Sequence, residues 1–275
     1  MAERSILITG CSSGIGLDAA RGLRARGWRV FATCRKEADC ARLREEGLES
    51  FTLDLADGDS IEAALAEAVS RGKGRLDALF NNGAHACPGA VEDLPREALR
   101  EIFETNLFGT HDLTRRAITI MRAQGGGRIV NNSSVLGFVG LRWRGAYVAT
   151  KFAMEGLTDV LRLEMRGTGV HIVLIEPGPI PTKIRENSIP HFERWIDWKA
   201  SARREEYRRL LHRLYEPSRP DRFEMPCSAV TAKLIHALES PRPRARYFVT
   251  HPTRIMALGR RILPARAQDW ILARI

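Results

Sequence analysis

A doubly wound α/β sheet of about seven mainly parallel strands, with helices on both faces, is the fold class this sequence predicts. Three observations carry it. Short apolar runs alternate with longer segments of helical period along most of the chain, as strands joined by crossover helices require. The runs, such as Ile172-Val173-Leu174-Ile175, are apolar throughout, which suits a sheet covered on both sides. A glycine-rich turn, Thr9 to Gly16, closes the first run and opens the first helical segment.

In chain order the strand candidates are residues 4–9, 28–33, 49–53, 76–81, 127–133, 170–176 and 246–250. Helix candidates lie between and after them, at 14–26, 37–46, 59–71, 95–123, 146–167, 183–215 and 226–239. Right-handed crossovers place a ligand beyond the strand C-termini, near the reversal of strand order. A chain of 275 residues suits one domain, 1–275. Two segments interrupt the alternation. One is a mostly helical insertion at 183–225, expected to lie over the substrate as a lid. The other is a basic C-terminal extension at 251–275.

Composition removes several function classes. No stretch reaches the roughly 18 apolar residues of a membrane-spanning helix. The N-terminus runs directly into the first strand without a signal peptide, so a cytoplasmic location is expected. Cys11, Cys34, Cys40, Cys87 and Cys227 are scattered, which points to neither a metal site nor a disulfide framework. The net charge of +10 is concentrated in residues 241–275, where eight arginines face one acid, Asp269. A single basic stretch without a recognition motif does not make a nucleic-acid interface, and none is expected.

The turn at Gly10, Ser12, Ser13, Gly14, Ile15 and Gly16 lets backbone approach a pyrophosphate at a helix N-terminus. It lacks the lysine ending of a triphosphate-binding loop. At the end of the second strand, Arg35 and Lys36 stand where an acid would bind the ribose of NAD; a guanidinium there fits a 2′-phosphate. NADP(H) is therefore the expected cofactor, with NAD(H) the alternative. Asp54, Leu55, Asn82, Gly83 and Ala84 follow successive strands at the same ligand edge.

Tyr147 and Lys151, four residues apart, share one helix face. A free tyrosine has a pKa of about 10, and a nearby lysine together with the positive oxidised nicotinamide is expected to favour phenolate and lower it. Ser134, at the end of the fifth strand, is placed to hydrogen-bond a substrate carbonyl. Asn106 is a polar residue in the middle of a helical segment.

Taken in order, Thr9-Gly10 through Gly16, Asp54, Asn81-Asn82, Asn106, Ser134, Tyr147-x-x-x-Lys151 and Pro177-Gly178-Pro179-Ile180-Pro181-Thr182 resemble the short-chain dehydrogenase/reductase family over residues 4–250. The Gly10–Gly14 loop, Arg35 and Phe152–Gly156 look most like its hydroxysteroid and retinol dehydrogenase branch. The resemblance implies a Rossmann-type fold and an oxidoreductase interconverting a carbonyl and an alcohol on a lipophilic, steroid-, retinoid- or aldehyde-like substrate. It implies Asn106, Ser134, Tyr147 and Lys151 as the catalytic set, Asn106 serving a water-mediated relay to Lys151. Tyr147 and Lys151 would also contact the cofactor, Lys151 at the nicotinamide ribose, and Pro177, Gly178, Ile180 and Thr182 would line the nicotinamide and phosphates. Two departures stand out: Gly83-Ala84 are interchanged from the family order, and Asn132 replaces an apolar residue. A non-catalytic NADP-binding sensor or scaffold is the alternative reading.

Specificity is expected from loops 85–94 and 135–146 and from the insertion, whose Tyr207, Leu210, Leu211 and Leu214 are expected to pack on the body of the fold. Arg142 and Arg144, close before Tyr147, are expected on a solvated loop, with contact to an acidic group of the substrate as the alternative. His85 and His191 lie in substrate-facing segments. The tail is expected to pack on its own domain, while a homo-oligomer contact or an anionic membrane surface would produce the same amphipathic pattern.

Overall fold

A computed structural model describes residues 4–216 and 223–274. Residues 217–222 of the expected insertion and Ile275 of the expected extension lie outside the described residues. The strands are β1 (Ser5–Ile8), β2 (Arg29–Cys34), β3 (Glu49–Thr52), β4 (Ala78–Asn81), β5 (Gly127–Asn132), β6 (Val170–Glu176) and β7 (Arg246–Phe248). They form one sheet in the order β3-β2-β1-β4-β5-β6-β7, and every pairing is parallel. The order reverses between β1 and β4, where ligand-binding edges of such sheets lie.

Strand alternation divides the core. Ile6 and Ile8 face the helices α1 (Gly14–Ala25), α2 (Glu37–Glu45) and α9 (Cys227–Glu239), through Ala19, Leu23, Leu43, Val230 and Leu234. Leu7 faces the opposite layer, in which Ile61, Leu65 and Ala68 of α3 (Gly58–Arg71) meet Leu113 and Ala117 of α5 (Thr110–Ala123). Both layers are apolar and fully covered, the arrangement that a parallel sheet requires.

The structure corrects two helix expectations. Residues 95–123 are not one α-helix. The segment comprises α4 (Arg96–Phe103), a π-helical turn (Glu104–Gly109) and α5. The backbone runs so close to Leu55 here that a Cβ on Gly109 would lie 1.7 Å from the Leu55 carbonyl oxygen. The widened turn carries Asn106, which is fully buried. Residues 183–215 likewise divide into α7 (Ile184–Trp195) and α8 (Arg204–Tyr215). Ile196 is extended, and the Asp197 and Ser201 side chains accept bonds from the amides of Ala200 and Arg203. Such local side-chain acceptors compete with helical bonding. The remaining helices are α6 (Gly145–Glu164), α10 (His251–Ile262) and α11 (Ala265–Leu272). Thr250 caps α10, and Pro264 separates the last two. No helix among the described residues is long and apolar enough to cross a membrane.

Candidate active site

Four chain segments leave the C-terminal ends of β1, β4, β5 and β6 at the same edge. After β1, Gly10 and Gly14 adopt φ of +71° and +57°, conformations that cost a side-chain-bearing residue energy. A Cβ on Gly10 would stand 2.8 Å from the Gly83 Cα, and one on Gly16 would stand 2.3 Å from the Gly10 oxygen. The Thr9 hydroxyl accepts the amides of Asn82 and Gly83 at 2.9 and 2.8 Å, and Asn82 Nδ2 donates to the Thr9 carbonyl at 2.9 Å. The close approach of the two segments therefore requires glycine at 10, whereas a Cβ on Gly83 would come no nearer than 3.1 Å, to the Leu55 side chain. Ser13 makes no side-chain cap to α1, leaving the helix-start amides available to an anion. Thr182 approaches Gly14, Ile180 and Ile15 both pack on the core, and Pro177 accepts the Val135 amide. Gly178 lies where a Cβ would strike Thr250.

At the end of β2, Arg35 and Lys36 are exposed, and neither forms an ion pair among the described residues. Asp54 accepts the Ala56 amide at 3.0 Å in a tight turn, and Leu55 is buried beside Gly83. A backbone cradle, an uncapped helix start and unpaired cations fit a dinucleotide phosphate.

The structure brings Ser134, Tyr147 and Lys151 together. The Ser134 hydroxyl accepts the Leu136 amide at 3.1 Å and lies close enough to Tyr147 to favour its phenolate. Lys151, 2% exposed, places Nζ 5.5 Å from the centre of the Tyr147 ring and donates to the Asn132 carbonyl at 2.7 Å. Burial pushes the Lys151 ammonium down to about 8, against the pull of Glu155. The expected lowering of the Tyr147 phenol does not occur in the protein alone. Burial raises it well above its ordinary value, outweighing the Ser134 hydroxyl and the Arg144 charge. Asn106 does not touch Lys151 directly. Its amide brackets His85, accepting the His85 amide at 3.0 Å and donating to its carbonyl at 2.9 Å, and reaches Thr150 at 3.3 Å. Thr150 in turn donates to the Tyr147 carbonyl.

Two contributors were not visible as site residues. Asn132, the second departure from the family pattern, accepts Lys151 through its carbonyl and donates Nδ2 to Asn82 Oδ1 at 2.9 Å. It thereby ties the lysine to the loop beneath the glycine turn. Arg246, one of the arginines of the basic C-terminal stretch, is half-buried and paired. It binds Glu155 and Asp159 of α6 and Glu176 of β6, the latter two at 2.7 and 2.6 Å.

A model of the short chain dehydrogenase family matches residues 4–192. The chain belongs to that family. Its relatives include the uncharacterized oxidoreductase YbbO of Escherichia coli, 37% identical over 98% of this chain and 94% of the relative. Human retinol dehydrogenase 16 is 34% identical over 98% of this chain and 88% of its own length. Among solved structures, a variant of actinorhodin polyketide ketoreductase with NADPH superposes with a TM-score of 0.72 at 30% identity, covering 90% of this chain and 95% of that one. The resemblance to retinol and hydroxysteroid dehydrogenases holds, and the protein is an oxidoreductase with a nicotinamide cofactor.

Next to Ser134, at Val135 and Leu136, lies a cavity of about 840 Å³. Val135 and Leu136, immediately after Ser134, and Gly178 and Pro179, after β6, form its floor. Residues 139–144, α8 and the tail complete it. The tail enters through Met256 and Leu272, a role its composition did not signal. Loop 85–94 does not line this cavity. Cys87 and Ala90 pack with Phe192, Ile196 and Tyr207, and the Tyr207 hydroxyl accepts the Ala90 amide and donates to Asp93. The loop therefore supports the insertion, whose aromatic and leucine stripe packs inward as expected.

His85 and His191 stack with ring centres 4.0 Å apart. Although no metal site was expected, these two and Glu101 offer ligand atoms within 4.8 Å of one another. The carboxylate is already engaged by His191, by Trp195 at 2.9 Å and by Arg194 at 3.1 Å, which makes the trio a clasp between α4 and α7. Burial, then His191, hold His85 down at about 4, so its ring is neutral near pH 7.

Proposed function

We propose that this enzyme is an NADP(H)-dependent reductase or dehydrogenase interconverting a carbonyl and an alcohol on a lipophilic substrate. The observation that carries the reading is the convergence of Ser134, Tyr147 and Lys151 at the sheet edge that also bears the glycine turn, with a cavity opening next to Ser134 at Val135 and Leu136. A bound nicotinamide supplies the hydride in reduction and receives it in oxidation. The helix-start amides at Gly14–Gly16 hold the pyrophosphate, with Gly10, Ser12 and Ser13 shaping the turn. Arg35 and Lys36 bind the 2′-phosphate. Asp54, Leu55, Asn82, Gly83 and Ala84 border the adenosine half, while Pro177, Gly178, Ile180 and Thr182 border the nicotinamide half. Ser134 donates a hydrogen bond to the substrate oxygen, where negative charge develops. Tyr147, its phenol protonated through the neutral range, gives its proton to that oxygen. Lys151 restores the proton, and Asn106 holds the His85 segment that borders the relay.

The single domain with its α7–α8 lid belongs to the same proposal, as does a cytoplasmic setting, which suits five free thiols. Exposed Phe152, Leu157, Val160 and Leu163 on α6 supply a surface for a homo-oligomer. Exposed Ile255, Leu258, Ile262 and Trp270 beside the tail arginines supply one for an anionic membrane.

The cofactor assignment is tested by Arg35→Ala. A charge-assisted contact of this kind contributes about ten- to hundredfold in affinity, so the NADPH-over-NADH ratio of kcat/KM should fall by that factor. Steady-state assays with both cofactors on a panel of ketosteroids, retinoids and simple aldehydes read it. A wild-type preference for NADH would sink the assignment.

A further inference from the structure

Arg144 does not lie on a solvated loop. It lines the cavity three residues before Tyr147, and its guanidinium makes no hydrogen bond or ion pair with any described side chain. The preceding residue, Trp143, holds φ of +67°, a left-handed conformation that a bulky residue adopts only under constraint. The constraint is visible: the Gly89 amide donates to the Trp143 carbonyl at 3.1 Å, and the indole meets the Tyr207 ring edge-on at 4.9 Å. The chain is thus fixed in a strained turn immediately before a cation that has no ion-pair partner among the described residues. The cavity wall adds Arg209 and Arg213, also without ion-pair partners among the described residues. The one acid among the described residues of the wall, Glu206, is taken by Arg142 and Arg203. Burial is the main influence that depresses the Arg144 pKa, to about 10, with Arg213 and Arg185 adding to it, and the guanidinium remains charged at neutral pH. A half-buried cation without a counter-charge among the described residues carries a desolvation cost, and an anion from outside would relieve it.

We infer that this cavity recognises an oxyanion on the substrate through Arg144, so that the molecule turned over carries an apolar body and a carboxylate or phosphate group. The inference rests on the oxidoreductase reading above and narrows its substrate class. Both oxyanions accept paired bonds from a guanidinium, and the apolar floor of Val135, Leu136 and Leu210 takes the remainder.

Three ketones with one apolar body and a terminal carboxylate, its methyl ester or a phosphate monoester provide the test. Either anion should exceed the ester in kcat/KM by about ten- to hundredfold, and the stronger of the two identifies the source. Arg144→Gln should remove most of that advantage by raising KM for the anion, Arg144→Lys should retain part, and exposed Arg213→Gln should reduce it by a smaller factor. No advantage for either anion in the wild type, or a ratio unmoved by both glutamine variants, would overturn the inference. If none of the ketones or simple aldehydes were turned over, the oxidoreductase reading would fail. The anion site would then be judged by calorimetry: decanoate binding that exceeds decanol binding and weakens in Arg144→Gln supports it, and equal binding refutes it.

Discussion

Replacing Tyr147 with phenylalanine should lower kcat for carbonyl reduction by about 10²- to 10⁴-fold, or roughly 3–5 kcal/mol of barrier. The ring and its packing persist, but the proton donor is gone. Ser134 can still orient the substrate oxygen, yet its hydroxyl has no lysine behind it: Lys151 lies against the Tyr147 ring. NADPH binding should be far less affected, because the glycine turn and Arg35 lie on other strands. Single-turnover rates together with the fluorescence of bound NADPH separate these effects. Equal losses in binding and rate would indicate a structural role for the tyrosine.

The largest expected stability effect falls on Arg246, which holds α6 to β6 through their carboxylates. Arg246→Met should destabilise the protein by about 3–5 kcal/mol, because it leaves Glu155 and the fully buried Glu176 without their cation. At roughly 2–4 °C per kcal/mol for a chain approaching this size, the melting temperature should fall by about 10 °C. The loss should also depend on pH. Burial, then Glu155, push the Glu176 carboxyl up to about 8, while Arg246 opposes them. Between the ordinary carboxylate range and that value the native state binds more protons than the unfolded chain. Stability therefore falls as pH rises through this window, and more steeply once Arg246 is gone. Thermal melts at pH 5 and pH 8 should show part of the deficit recovered at the lower pH. A deficit equal at both would mean that packing, not charge, is the cause.

The seven strands were legible because each is a short apolar run bounded by turn residues, a pattern that depends only on near neighbours. Ser134, Tyr147 and Lys151 were legible for a related reason, since strand ends and helical spacing place them at one edge. What escaped depends on contacts between distant segments. The π-helical turn at Asn106 goes with the close approach of Gly109 to Leu55, some fifty residues earlier. Arg246 read as one more cation in a basic tail, because nothing local marks its three carboxylate partners. Arg144 read as solvated for the same reason: the strained Trp143 and the walls from α8 and the tail exist only in the folded chain. The Tyr147 phenol shows the limit most clearly. Spacing predicted a lysine nearby but not how far burial would outweigh it.

Hydride transfer itself is the most direct test of the central claim. The wild-type enzyme, NADPH deuterated at the transferable position and a ketone substrate should yield an alcohol carrying one deuterium on the former carbonyl carbon, read by mass spectrometry. Tyr147→Phe should form the same labelled product at a small fraction of the rate. An alcohol formed without deuterium from either prochiral label, or labelled alcohol formed equally fast by Tyr147→Phe, would contradict the account.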